Sequence, residues 1–330
     1  MTPLQFEQRW SAEWDELSAL LDAVEGRKRG AKSNPVKPFP AERLAALYRR
    51  VCEHLAAARA RAYPVTLIAR LDDLSHRAHQ VIYRRREWGW AALAHIFTHD
   101  FPQAVRAHRG YVLVATLLFV LPMLVLGGLT YVRPSFALTV LDVSQLAKYE
   151  AMYSTTQDAR SADNDWGMFG HYIRNNISVG FQCFAGGLVA GLGAVLALVF
   201  NGLLAGVVGG YLSARGLAES FWSFVVTHAA FELTAIVLAG AAGLRLGQAW
   251  LMPGRRTRLQ ALMRAARAVV PILYGVMAML FIAAVLEAFW SSARWLPVTV
   301  KYAVAALCWT GVFAYFIRQG HKSVVARVSA

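Results

Sequence analysis

Three ionisable side chains lie in stretches of sequence that are otherwise almost entirely apolar. His228 and Glu232 are four residues apart in "FWSFVVTHAAFELTAIVLAG", and Glu287 lies in "AAVLEAFWSS". An i, i+4 spacing places His228 and Glu232 on one face of a helix. Imidazole and carboxylate groups in such a setting can relay protons, bind a cation or coordinate a metal ion. We therefore take these three residues as candidates for the chemistry of this protein.

Metal coordination makes the greatest demand on the sequence. Zinc needs about three protein ligands, and the H-E-x-x-H pattern of zincins is missing here. His228, Glu232 and Glu287 could supply three ligands only if the helices that carry them meet. A hydrogen-bonded cluster that stabilises helix packing is our first expectation, a proton or cation site the second and a hydrolytic metal site the third. We accordingly expect no cofactor and no complete set of catalytic residues.

Amide side chains extend this set of polar residues within the apolar segments. Asn175 and Asn176 open the second predicted span, and Asn201 lies in the middle of the apolar run 169–211. An ionisable group at the centre of a membrane helix costs about 2.5–3.5 kcal/mol on insertion scales, so such groups face the bundle interior and pair. The predicted intramembrane polar cluster is His228, Glu232, Glu287, Asn175, Asn176 and Asn201.

The elements that must position this cluster are transmembrane helices. Of the 330 residues, 57% are hydrophobic, which is typical of an all-α polytopic membrane protein rather than a soluble domain. A span needs about 20 apolar residues. The segments 110–132, 221–251, 268–290 and 296–317 each provide one span, and the 43-residue run 169–211 is long enough for two. The sequence thus predicts about six spans.

The charges of the loops predict the orientation of these spans. Residues 251–267 contain five arginines and no acidic residue, and basic loops remain on the cytoplasmic side. Two spans within 169–211 place this loop and the tail 321–330 in the cytoplasm, and they place the loop 134–168 outside. The turn between the two spans falls near 191–193 or near 201–202. We therefore predict a bacterial inner-membrane protein with both termini in the cytoplasm.

The segment before the first span is predicted to contain a separate cytosolic domain. Residues 1–87 carry apolar residues at helical spacing in three stretches, which favours a three-helix bundle. Residues 88–109 mix aromatic and basic residues and are predicted to form an interfacial helix, ahead of a membrane domain over 110–320. We interpret the net charge of +14 as a topology signal and expect no nucleic-acid partner.

Glycines recur in the apolar segments at spacings that suit close helix packing. Small residues four positions apart let two helix backbones approach each other in lipid. A phosphate-binding loop is a poor alternative, because no strand precedes these glycines and no Lys-Ser/Thr pair follows them. The predicted helix-packing glycines are Gly187, Gly191, Gly202, Gly206, Gly210, Gly240 and Gly243.

These motifs together resemble those of the integral membrane family of stage II sporulation protein M. The resemblance covers roughly residues 100–292 and includes the Asn-Asn pair, an Asn-Gly before a glycine-rich span, the His-x-x-x-Glu motif and a late Glu-Ala-Phe. Ala229 departs from the glycine expected after the histidine. Carried over residue by residue, the motifs fall on Asn175, Asn176, Asn201, Gly202, His228, Glu232 and Glu287.

The resemblance implies a membrane scaffold that works with peptidoglycan-degrading partners. Our first functional hypothesis is therefore a scaffold or assembly protein that recruits envelope-remodelling proteins, with the bilayer, other envelope proteins and a second copy of the chain as possible partners. The alternative is an ion- or proton-coupled transporter that uses the intramembrane carboxylates. A membrane metalloenzyme at His228, Glu232 and Glu287 is the third hypothesis.

Overall fold

The protein is helical throughout its described residues, as the sequence predicts. A computed structural model describes residues 1–28, 41–82, 90–154, 162–293 and 295–319, and these contain helices and no strands. The chain divides into two compact units, whose described parts are residues 1–82 and residues 90–319. The predicted tail 321–330 lies outside the described residues.

The first unit consists of three helices around one apolar core. They are α1 (Pro3–Lys28), α2 (Ala41–Ala60) and α3 (Val65–Ile82). Leucines at three- and four-residue spacing lie on the inner face of each helix, and Leu17, Leu47 and Leu71 are fully buried. Trp14 is also fully buried, and its indole Nε1 donates to His54 Nδ1 at 3.1 Å. The three-helix bundle therefore has a core of its own.

The second unit begins with short helices that lead into long ones. The order is α4 (Trp90–His95), a π-helical turn (Ile96–Asp100), α5 (Phe101–Ala107), α6 (Arg109–Val132), a 3-10 turn (Pro134–Thr139), α7 (Val143–Tyr153), α8 (Ala162–Ala185), a 3-10 turn (Gly186–Leu188), α9 (Leu192–Ala214), α10 (Ala218–Leu251), α11 (Arg258–Val285), a π-helical turn (Leu286–Ser291) and α12 (Val298–Arg318). Helix α10 lies at the centre of this unit and packs against α6, α8, α9, α11 and α12.

Five described helices, rather than six, are long and apolar enough to cross a membrane. They are Arg109–Val132, Leu192–Ala214, Ala218–Leu251, Arg258–Ser291 and Val298–Arg318. The remaining long helix, α8, falls in the run for which the sequence predicted two spans. Polar residues such as His171, Arg174 and Asn175 make α8 less hydropathic than the others. The six-span prediction thus exceeds by one the number that hydropathy and length support.

The turn within the long apolar run lies at its glycine-rich centre. Helix α8 ends at Ala185, and α9 begins after Gly191, whose φ of 83° is a left-handed conformation that glycine adopts without strain. Of the two predicted positions, the structure therefore has the one near 191–193. Asn201 and Gly202 lie inside α9.

The segments before and after α6 pack onto the rest of the second unit. Phe101 of α5 is buried, and its ring packs directly against Gly275 of α11. A Cβ atom added to Gly275 would lie only 2.2 Å from an atom of the Phe101 ring. On the other side of α6, Asp142 and Gln145 form a capping box that begins α7. Residues 155–161 of the predicted outer loop are outside the described residues.

Candidate polar site in the membrane unit

Helix α10 and the π-helical turn after α11 bring together the three ionisable residues that the sequence singled out. His228 and Glu232 lie one turn apart on α10, and Glu287 lies in the π-helical turn. One imidazole nitrogen and one carboxylate oxygen from each glutamate all lie within 4.8 Å of one another. The condition that the sequence set for a three-ligand arrangement, a meeting of these two helices, is therefore met.

His228 is hydrogen-bonded at one ring nitrogen and faces a carboxylate with the other. The side chain is only 4% exposed. Nδ1 lies 3.1 Å from Ser291 Oγ, and Nε2 lies 3.7 Å from Glu232 Oε2. The ring of Phe224, one turn earlier on α10, packs edge-on against the imidazole. These contacts fix the orientation of the ring and direct Nε2 towards the carboxylates.

Amide groups from α8 complete the cluster. Asn176 is 1% exposed, and its Nδ2 donates to Glu287 Oε2 at 3.5 Å. Asn175 Nδ2 in turn donates to Asn176 Oδ1 at 3.2 Å. Asn201 is placed differently, because its Nδ2 donates to the carbonyl oxygen of Ala197 on its own helix at 2.8 Å. Three helical segments thus contribute to one polar cluster.

The π-helical turn Leu286–Ser291 supplies two members of this site. Glu287 faces the other ionisable groups, and Ser291, four residues later, contacts His228. π-Helical turns are rare in α-helices, and those that do occur are often found at functional sites. The sequence pattern predicted a continuous helix here, so it gave no indication that Ser291 belongs to the site.

The second unit, residues 90–319, is the membrane unit of this protein. A cavity of about 640 Å³ lies beside the cluster at one end of this unit. Its wall includes Phe224 and Ser291, both of which contact His228. Lys301 also lines the cavity, is 6% exposed, and donates from Nζ to the carbonyl oxygen of Ser291 at 2.9 Å. The remaining lining residues combine serines with aromatic side chains, including Ser220, Ser223, Ser292, Tyr153, Phe289 and Trp295.

Sequence reasoning missed three residues of this region. Lys301 lies near the start of the last apolar segment, where its charge was a signal that was not used. Ser291 follows the Glu-Ala-Phe motif, but serine by itself is too common to indicate a site. Tyr153 ends α7 and packs against Phe221 and Phe224 of α10, a contact that only the fold determines.

Most of the glycines singled out in the sequence lie where two backbones approach each other. A Cβ on Gly202, Gly206 or Gly210 of α9 would lie 2.1–2.3 Å from a carbonyl oxygen of α6. A Cβ on Gly187 would lie 2.1 Å from the carbonyl oxygen of Gly243. Gly240 instead accommodates the side chain of Leu198. These contacts fix α8, α9 and α6 around α10, which carries the site.

An ion pair joins α7 to the end of α9 near the cavity. Glu150 accepts hydrogen bonds from Tyr211 Oη and from Arg215 Nε, each at 2.8 Å. These two hydrogen bonds, with the Tyr211 bond the larger cause, hold the pKa of the Glu150 carboxyl below its usual range. Helix α7 is thereby attached to the same end of the unit as the cavity.

The fold and the polar site together define the class of this protein. A multi-pass helical unit with polar groups inside and apolar residues outside is an integral membrane protein. The family model of stage II sporulation protein M matches residues 115–292, and the chain belongs to this family. A domain of unknown function (DUF8413) matches residues 4–84, the three-helix bundle.

Two further comparisons gave no relatives. No curated protein matches the chain, and no solved structure matches it. The family match spans all three helical segments that form the cluster, from Asn175 to Ser291.

Proposed function

We propose that this protein is a bacterial inner-membrane scaffold that recruits or anchors proteins that remodel the cell envelope. The observation that carries the proposal is the presence of a separately packed helical bundle on the same chain as a multi-pass membrane unit. A bundle with its own core and a charged surface is suited to bind partners in the aqueous phase, while the membrane unit anchors it.

The segment around α7 is the second partner surface in this proposal. The capping box begins the helix, and the Glu150–Arg215 ion pair attaches it to α9. Val143 is 71% exposed, and Leu138 and Met152 are also exposed. Exposed apolar side chains on a fixed helix provide contact area with little ordering cost, so α7 is our candidate surface outside the membrane.

The proposed topology has both termini in the cytoplasm. If α8 crosses the membrane together with the five more apolar helices, successive connections alternate between the two sides. The arginine-rich connection between α10 and α11 then lies in the cytoplasm, in agreement with the positive-inside tendency. The cavity and α7 lie at the opposite end, facing the outside.

The scaffold proposal is tested by quantitative co-purification of the full chain after cross-linking in cells. We expect reproducible enrichment of envelope proteins. Val143→Arg should remove partners bound outside the membrane, because it places a charge in the proposed contact. Val65→Arg, at an exposed position of the bundle, is the matched control and should retain those partners. Co-purification without any reproducible partner would reject the scaffold function.

A second candidate function is ion- or proton-coupled transport. The observation that favours it is the 640 Å³ cavity, whose wall contacts an intramembrane histidine next to two carboxylates. Intramembrane ionisable residues beside a cavity are typical of ion pathways. In reconstituted vesicles, the substitutions Glu232→Gln and Glu287→Gln should then abolish the flux of protons or cations. Flux that is unchanged in both variants would exclude this function.

A further inference from the structure

The geometry points to a metal site: we propose that His228, Glu232 and Glu287 coordinate one divalent transition-metal ion, with zinc as the best match. The inference goes beyond the scaffold function and does not depend on it. It concerns a site within the membrane unit, whereas the scaffold proposal concerns surfaces outside the bilayer.

The ligand atoms are of the right kind and number. Zinc accepts imidazole nitrogen and carboxylate oxygen, and sites with three protein ligands retain one position for a further ligand. Metal–ligand bonds of about 2.0–2.2 Å place neighbouring ligand atoms roughly 3.5 Å apart. The three side chains already lie within 4.8 Å of one another. Small rotations of the two glutamate side chains would close the remaining distance.

The charges of the cluster favour a bound cation. Two carboxylates converge within the interior of the membrane unit, where the effective dielectric constant is low. Two ionised carboxylates at this separation repel each other, and either a proton on one of them or a cation between them relieves the repulsion. Lys301 is also nearby, and its Nζ donates to the Ser291 carbonyl oxygen on the cavity side. Measurement of bound metal distinguishes a metal ion from Lys301 as the counter-ion.

The residues around the three ligands have the arrangement that metal sites require. A metal-bound histidine uses one ring nitrogen for the metal and the other for a hydrogen bond that fixes the ring. Nδ1 of His228 faces Ser291 Oγ, which leaves Nε2 for the metal. Asn176 donates to Glu287 Oε2 and orients that carboxylate in the same way.

The cavity lies next to this site, behind side chains that contact His228. Ser291 and Phe224 form part of the cavity wall and contact His228 from that side. None of the three ligands is among the described residues that line the cavity, so entry of an ion from this side requires Ser291 or Phe224 to move. The π-helical turn, which supplies both Glu287 and Ser291, couples the metal ligand to the cavity wall.

The test measures bound metal in the full chain, purified in detergent through an affinity tag without histidines. We expect about one zinc ion per chain by elemental analysis. After removal with a chelator, added Zn²⁺ should raise the unfolding temperature in a concentration-dependent way. Co²⁺ in place of Zn²⁺ should give the visible absorption of a site with nitrogen and oxygen ligands.

Near-isosteric variants keep the test independent of folding defects. Glu232→Gln and Glu287→Gln retain side-chain volume and should lose the bound metal, the Zn²⁺-dependent temperature shift and the Co²⁺ absorption. Glu219→Gln removes a carboxylate that lines the cavity outside the cluster, and it should behave like the unmodified protein. If the protein is purified without bound metal and shows no Zn²⁺-dependent temperature shift, the proposal is overturned. Lys301 is then the remaining candidate for the counter-ion. Equal metal loss in Glu219→Gln would also overturn it.

Discussion

The three-helix bundle has its charged groups on the surface, whereas the membrane unit has its ionisable cluster in the interior. In the bundle, ion pairs such as Arg43–Glu16 and Arg59–Asp72 lie on the surface, and the interior is formed by leucines and Trp14. In the membrane unit, exposed positions carry large apolar residues such as Leu121 and Leu307, and the ionisable cluster lies inside. One chain thus follows two opposite patterns.

The difference shows that each unit is shaped by a different surrounding solvent. In water, burial of apolar area supplies the main driving force, so large side chains fill the core of the bundle. In lipid, burial of apolar surface between helices provides no hydrophobic driving force, because the surrounding lipid tails are themselves apolar. Close backbone contacts and internal polar contacts stabilise the helix packing instead. Three substitutions test this contrast between the two units, and they should differ in the size of their effects.

Gly206→Leu should have the largest effect, because it blocks a backbone contact that cannot adjust. A Cβ at this position would lie 2.3 Å from the carbonyl oxygen of Met123 on α6. We expect about 3 kcal/mol of destabilisation. It should be seen as loss of the monodisperse peak in size-exclusion chromatography. Gly128→Leu is the matched control, since nothing lies within 4 Å of its Cβ position. Equal behaviour of the two variants would refute packing of α9 on α6.

Trp14→Phe should have an intermediate effect that is confined to the bundle. The change removes the indole N–H that His54 Nδ1 accepts and leaves a space in the core. We expect about 1–3 kcal/mol of destabilisation, measured by hydrogen exchange of the α1–α3 amides. Trp10→Phe retains an aromatic face against His54 and should cost less. Increased exchange in α9 or α10 as well would mean that the two units unfold together.

Glu150→Gln should have the smallest effect and should depend on pH. The carboxylate is partly exposed, so loss of its contacts with Arg215 and Tyr211 should cost about 0.5–1 kcal/mol. Its pKa is lowered in the folded protein, so its stabilisation is present above the ordinary pKa of 4.5 and is lost as the pH falls through the lower folded value. The difference in unfolding temperature between the two proteins should therefore disappear in acid. A difference that does not narrow at all as the pH falls below 4.5 would exclude a role of the charge.

The sequence predicted the class of fold and most of the residues in the polar cluster. A long apolar stretch excludes most alternatives to a membrane helix, and helical spacing correctly placed His228 and Glu232 on one face. The number of spans was less well determined. Helix α8 carries polar side chains that point into the cluster, and a hydropathy average cannot distinguish these from residues that face lipid.

The helices, the apolar segments and the ionisable residues within them can be predicted from the amino-acid sequence, because they depend on local spacing and on total hydrophobicity. The proximity of Glu287 to His228 is visible only in the folded unit, because it joins positions 59 residues apart on two helices. The same holds for Ser291 and Lys301, whose roles depend on a π-helical turn and on the position of α12. Contacts between distant segments follow from packing of the whole unit, which no local pattern encodes.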